Sequence, residues 1–173
     1  GSSGAGTSTV KATFDQIFRR EGIKAVSIEG DAFHKYNRAD MKAELEKRLA
    51  AGDRSFSHFS LDANELGELE RVFREYGETG NGKTRYYVHS DAEAAQLGTP
   101  SGEFTGWAPF EEGSDVLFYE GLHGAVSADG INVAKYADLK VGVVPVINLE
   151  WTQKMHRDRD VRGYSTEAIP DVV

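Results

Sequence analysis

Apolar residues recur at helical spacing in three stretches of the chain. Val10, Phe14, Ile17 and Phe18 mark one face of a first helix, which Gly22 stops. A second helix reads from Arg38 to Ala51: Ala39 and Asp40 open it, Met41, Leu45 and Leu49 form one face, and Gly52 ends it. A third runs from about Asp62 to Tyr76, with Leu66, Leu69, Val72 and Phe73 inward and Gly77 closing. Between the helices the period changes. Ala25 to Ile28 is a short strand that ends at Glu29-Gly30-Asp31, and Thr84 to His89 is a β-prone run. Residues 90–113, rich in Gly, Glu and Pro, read as loop with at most one short strand or turn. Two later runs, Asp115 to Gly121 and Leu139 to Val146, are almost continuously apolar, as strands buried on both faces are. A highly charged helix over about 148–162 comes last. The pattern predicts an α/β fold with a mostly parallel sheet covered by helices.

Length and charge narrow what such a fold can do. A chain of 173 residues suits one α/β domain with a real core. A net charge of −8 argues against a general nucleic-acid binder, yet leaves room for a small anionic substrate held by a local cluster of Arg and Lys. The absence of cysteine excludes disulfides, thiolate metal sites and thiol redox control within this segment. No apolar run approaches the roughly 20 residues of a membrane span.

Chemistry first shows at the amino-terminal end. Gly1, Ser2, Ser3, Gly4, Ala5, Gly6, Thr7, Ser8 and Thr9 fit the phosphate-cradling pattern G-x-x-x-x-G-K-[ST], except that Thr7 stands where the pattern has lysine. Glycines let backbone N–H groups turn inward around phosphate oxygens, and the helix behind presents further N–H groups and a partial positive charge. The alternative is an expression-tag remnant, which also begins Gly-Ser-Ser-Gly but would not run unbroken into an amphipathic helix. A loop of this kind follows a hydrophobic strand, and none precedes Gly1; with the apolar stop at Ile169 to Val173, the chain is expected to be an internal piece of a longer protein.

Three further groups carry charge at element ends. Asp31 follows a strand, where ligands of open α/β sheets bind, and can accept a hydroxyl proton during phosphoryl transfer; the alternative is a turn or N-cap aspartate. Glu120 ends the buried run Val116 to Phe118, as the Mg²⁺-holding acid of nucleoside-triphosphatase folds does; the alternative is an ordinary acidic turn residue. Lys154, Arg157 and Asp158 share one helix face and could supply the cation charge missing at Thr7, against the alternative of a solvated charged face. Lys11 is a weaker source of the same charge. The five histidines show no metal-binding spacing, and His34 and Arg38, just beyond Asp31, are either sugar-phosphate ligands or plain loop residues.

Gly1 to Val10, Ser27 to His34, Phe118 to His123, and Val144 to Trp151 with Lys154 to Asp158 together resemble the phosphoribulokinases of the bacterial type, in order and with the family's spacing. The threonine in place of the loop lysine is a mark of that branch; the plant and cyanobacterial type keeps the lysine and carries regulatory cysteines. The resemblance implies a P-loop kinase-like fold with a mostly parallel, mixed sheet flanked by helices, here one domain over 1–173 lacking the first strand and the carboxyl-terminal part. It implies a cytoplasmic enzyme of the Calvin cycle that uses ATP and Mg²⁺ to convert ribulose 5-phosphate to ribulose 1,5-bisphosphate, with this piece alone of doubtful activity. Asp31 would be the base and Lys154 and Asp158 catalytic. Gly1 to Thr9 would bind ATP, and Ser8, Glu120 and Asp158 the metal. His34, Arg38, Arg157, Arg162 and Lys154 would contact the sugar phosphate. Arg20 resembles a position tied to activation by NADH and inhibition by AMP, and the full-length protein would be a homo-oligomer binding neither nucleic acid nor membrane.

Two rivals stand beside this expectation. One is another small-molecule kinase of the same fold, of the uridine kinase or pantothenate kinase kind, which normally keeps the lysine. The other is a nucleotide-binding module without turnover, against which Asp31, Glu120 and Asp158 speak, since a pure binder needs no base.

Overall fold

A computed structural model describes residues 1, 5–144, 146, 152 and 156. Helix α1 spans Thr7–Glu21, starting at Gly6 in the left-handed region (φ 88°) and ending at Gly22 (φ 69°), whose N–H closes the last turn. Strand β1, Ala25–Glu29, leads into a 3₁₀ turn over Gly30–Phe33. Helix α2, Arg38–Ala50, is capped by the Asn37 side chain, which accepts from the Asp40 N–H. Helix α3 covers Leu66–Thr79, β2 Lys83–Thr84, α4 Asp91–Leu97, β3 Ala108–Pro109, β4 Val116–Glu120, β5 Ser127–Ala128 and β6 Ile131–Asn132.

β1 and β4 pair in parallel from Ala25 opposite Val116 to Glu29 opposite Glu120. The β2–β3 and β5–β6 pairs are antiparallel and stand as separate two-stranded sheets, so among the described residues β1–β4 is the one parallel pair. The core forms where α3 packs beneath β1: Ile28, Ala32, Phe33, Leu69, Val72, Phe73, Phe110 and Val133 are buried together. The α3 face predicted to point inward does so, with Leu66, Leu69, Val72 and Phe73 all buried. The Phe14, Phe18 and Phe118 rings form a second cluster, centroids 5.2–5.9 Å apart, that seats α1 on β4.

Several predicted elements differ. Gly77 does not close α3; the helix continues to Thr79, and Gly80 (φ 71°) ends it. A glycine inside a helix costs only about 1 kcal/mol, which the buried face outweighs. Of the α2 face marked by Met41, Leu45 and Leu49, none is buried, and Leu49 is 58 % exposed, so this helix lies on the surface. The 90–113 stretch contains α4, whose start was written in the sequence: the Ser90 side chain accepts from the Glu93 N–H, and the Glu93 carboxylate accepts from the His89 N–H. Of the run Thr84 to His89 only Thr84 falls in a ladder strand, β2 beginning one residue earlier at Lys83, although Tyr87 bridges Phe104 beyond it. The 139–146 run forms no strand among its described residues, and Leu139 and Val144 are 75 % and 89 % exposed. The helix expected over 148–162 falls outside the described residues except at Thr152 and His156.

Candidate active site

The parallel pair carries its chemistry at one end. Glu29 and Glu120 sit opposite each other in the last register position, each followed by a glycine. Those glycines are required: a Cβ on Gly30 would lie 2.7 Å from the Tyr119 hydroxyl and 3.1 Å from the Gly121 Cα. Burial raises the Glu29 pKa, and Glu120 adds to it, while Lys11 pulls the other way. Lys11 itself pairs with Asp15 at 3.2 Å, one turn along α1.

Asp31 stands in the 3₁₀ turn just past β1, between two imidazoles. His34 Nε2 lies 3.2 Å from one carboxylate oxygen and His89 Nε2 3.3 Å from the other. Burial alone would raise the Asp31 pKa, but hydrogen bonds from His34 and His89 outweigh it and hold the carboxyl well below the usual carboxylate range. The partner effect appears on His34: burial lowers its pKa, yet the Asp31 carboxylate and the bond from Nδ1 to the Asn64 side chain (2.8 Å) leave it raised. Asn64 is itself fastened, its amide donating to the carbonyls of His58 and Ser60. Asp31 keeps 46 % of its side chain open, so the carboxylate is held in place and still reachable.

Arg38, at the start of α2, donates to the His89 carbonyl (2.9 Å) and the Ser101 hydroxyl (3.2 Å). Gly102 (φ 88°) passes so close that a Cβ there would be 2.8 Å from Arg38 Cβ. Arg38 thus lies beside His89, within the same group as Asp31 and His34.

The phosphate-loop end comes to the same edge. Gly6 caps α1 without a side-chain cap hydrogen bond, and the first turn holds no acid, so among the described residues no side chain competes there with an anion. Ser8 and Thr9 are exposed, and Ala5 is buried. The Gly1 nitrogen lies 3.3 Å from the Gly121 carbonyl, which brings the loop's start to the end of β4. Gly1, Thr7, Glu120 and Gly121 border one cavity of about 860 Å³ that extends along β4 over Phe14, Phe18 and Phe73. Asp31 does not line this cavity. Arg20, by contrast, is far out on the surface, 75 % exposed and paired with the adjacent Glu21.

The structure therefore brings Asp31, His34 and Arg38 into one group, and Gly1, Thr7 and Glu120 into an adjacent one. Ser2, Ser3, Gly4, Lys154, Arg157, Asp158 and Arg162 lie outside the described residues. Sequence reading passed over His89, Asn64 and Arg85. His89 lies 58 positions from Asp31, and no spacing rule links residues that distant; its only mark was to end the β-prone run. No group of three or more His, Asp or Glu among the described residues is placed to hold a metal ion.

A glycine-capped helix N-terminus and strand-end carboxylates, at the carboxyl end of a parallel α/β pair, define the P-loop kinase class of fold. The sequence matches the model of the Phosphoribulokinase / Uridine kinase family over residues 1–173, and the chain belongs to that family. It is 73 % identical over its whole length to phosphoribulokinase 2 of Cereibacter sphaeroides, and 64 % identical to the phosphoribulokinase of Nitrobacter vulgaris. It spans 59 % and 60 % of those two relatives. Among solved structures, phosphoribulokinase from Rhodobacter spheroides superposes with a TM-score of 0.84 at 68 % identity, over 99 % of this chain and 58 % of that one. A fructose transport system kinase described as putative, from Silicibacter, shares the fold alone, at TM-score 0.64 and 16 % identity.

Proposed function

We propose that the protein containing this chain transfers the γ-phosphoryl group of ATP to the C1 hydroxyl of ribulose 5-phosphate, giving ribulose 1,5-bisphosphate and ADP, the Calvin-cycle reaction. The observation that carries this reading is the Asp31 carboxylate, fixed between His34 and His89 at the end of β1 and still open to solvent. The family match and the identity to phosphoribulokinases over the whole chain support it.

In this reading the acceptor hydroxyl donates a hydrogen bond to Asp31 as its oxygen closes on the γ-phosphorus. The bond from that phosphorus to the β–γ bridging oxygen breaks, ADP leaves, and the hydroxyl proton passes to Asp31. A carboxylate with a depressed pKa is a weak base, which a loose transition state tolerates because the proton moves late. Arg38, beside His89, is assigned to the sugar phosphate, and His34 to the same site through its bond to Asp31. The N-terminus of α1 is assigned to the ATP phosphates. The oxygens of Ser8 and Glu120 are hard donors of the kind Mg²⁺ takes, and Asp158 is assigned to the same ion; when bound, it would neutralise charge on the phosphates. Lys154, Arg157 and Arg162 are assigned to the transferring phosphoryl and the sugar phosphate, supplying the charge Thr7 lacks. Arg20, exposed and outside the core, is assigned to the response to NADH and AMP, and a homo-oligomer is the assembly proposed for the full-length protein.

An ADP-release assay on the full-length protein, with ribulose 5-phosphate, uridine and pantothenate as competing acceptors, tests the reading. Turnover with ribulose 5-phosphate at least ~100-fold above the other two is expected, the scale of discrimination when a site's polar groups lose their partner. Preference for uridine or pantothenate, or no turnover with any of the three, would overturn it.

A further inference from the structure

We propose that Arg85 is a positioning residue for the acceptor site: its guanidinium ties together the two segments whose side chains meet on Asp31, and so sets the spacing between that carboxylate and the His34 and His89 imidazoles. The inference rests on the kinase reading above.

Arg85 lies just beyond β2, four residues before His89. Its Nε donates to the Ala32 carbonyl at 2.8 Å and its Nη2 to the His34 carbonyl at 2.9 Å. These carbonyls flank Phe33, so one guanidinium holds both ends of the short turn between Asp31 and His34. Its Cζ lies 3.8 Å from the Phe104 ring centroid and 4.8 Å from that of Trp107. Trp107 in turn meets the buried Phe33 ring edge-on at 5.9 Å. The backbone on the Arg85 side is equally fixed. Thr105 N–H bonds the Tyr86 carbonyl, Val88 N–H bonds the Glu103 carbonyl, and the His89 N–H is held by Glu93. The His34 turn and the His89 segment thus meet at two places, at Asp31 and at Arg85.

Charge alone does not account for this residue. Among the described residues no carboxylate lies within 4.0 Å of Arg85, and burial pulls its pKa down. A half-buried cation whose counter-charge, Glu65, acts only from beyond ion-pair distance is costly, since burial outweighs that attraction. What a guanidinium does, and an ammonium cannot, is span two carbonyls with a rigid fork while its flat face lies on aromatic rings. Reacting groups must be held to within about 0.5 Å, and a 1 Å misplacement can cost about 10²-fold.

Arg85→Lys and Arg85→Met in the full-length protein test this, with kinetics read beside the ¹⁵N imidazole signals of His34 and His89. Both variants are expected to lower kcat with ribulose 5-phosphate by ~10–100-fold, to leave KM for ATP within about twofold, and to shift both imidazole signals. Arg85→Lys keeps the charge and the stem, so its failure to restore kcat identifies the fork as the acting feature. If Arg85→Met does not fold, Arg85→Lys alone decides. A folded Arg85→Lys protein with wild-type kcat, or with both imidazole signals unmoved, overturns the inference. If the wild-type protein does not phosphorylate ribulose 5-phosphate, the functional reading fails separately, and the imidazole signals still report on Arg85.

Discussion

Asp31 owes its character to two partners that the chain brings from opposite sides. His34 comes from the same turn, His89 from the segment beyond β2, and their hydrogen bonds outweigh the burial that raises the carboxyl's pKa. With its pKa held below the usual carboxylate range, Asp31 is ionised at neutral pH and able to accept a proton. Replacing Asp31 with Asn keeps the shape and removes the proton acceptor. In the full-length protein Asp31→Asn is expected to lower kcat by at least ~10²–10⁴-fold, the usual range for a general base, with little change in ATP affinity. A loss under tenfold would remove the residue from that role. The same contact makes stability depend on pH. Asp31 has a lowered pKa, so its contribution is present above the ordinary value of 3.8 and is lost as pH falls through the folded value. His34 has a raised pKa, so its contribution is complete below the ordinary 6.5 and is lost as pH rises through the folded value. Thermal melts should therefore show a decline in Tm on the alkaline side of 6.5 that is smaller in His34→Gln. Equal slopes in the two proteins would show that His34 does not carry it.

Helix α4 shows how a local element serves a distant site. Ser90 caps it, and Glu93 reaches back to the His89 N–H, so the helix start fixes the backbone of one of Asp31's partners. Ser90→Ala is expected to cost about 1 kcal/mol, the usual price of a lost N-cap. Amide exchange should speed at Glu93 and His89 while α3 stays protected; unchanged exchange at both would show that the cap is idle. The signature Ser90-Asp91-Ala92-Glu93 was visible in the sequence, but the surrounding Gly and Pro made the stretch look like loop. Helix α2 is the reverse case. Its length and start were readable, whereas the role of its apolar face was not, because spacing reports a face without saying what covers it. Arg48 fastens this helix instead, bonding Glu44, Asp53 and Asp62 while lying 4.4 Å from the Phe56 ring centroid.

The whole fold turns on α3 and β1, whose buried residues lie directly beneath the Asp31 turn. Leu69 is 1 % exposed, and Leu69→Ala should cost about 2–5 kcal/mol, as cavity-forming changes in a core do. Leu49→Ala, on the surface of α2, should stay within about 0.5 kcal/mol. Urea unfolding of both variants checks the contrast, and comparable losses would move the core to include α2.

What the linear chain carried was everything written in local pattern: the glycine-led start of α1, the strand before Glu29-Gly30-Asp31, the buried face of α3, and the run that became β4. These follow from backbone sterics and from the periods of helix and strand, which act over a few residues. Asp31, His34, Arg38 and Glu120 were legible for the same reason, since each stands at the end of an element. What required the folded chain was the company those residues keep. Glu29 meets Glu120 through the β1–β4 register, His89 reaches Asp31, and Arg85 clamps the Ala32 and His34 carbonyls, each across 50 or more positions. Such contacts depend on how elements pack, and packing answers to the summed burial of α3, β1 and their neighbours rather than to any local signal. The 139–146 run makes the same point from the other side: its apolar composition reads as a buried strand, but with no partner strand hydrogen-bonded to its described residues, composition does not make it one.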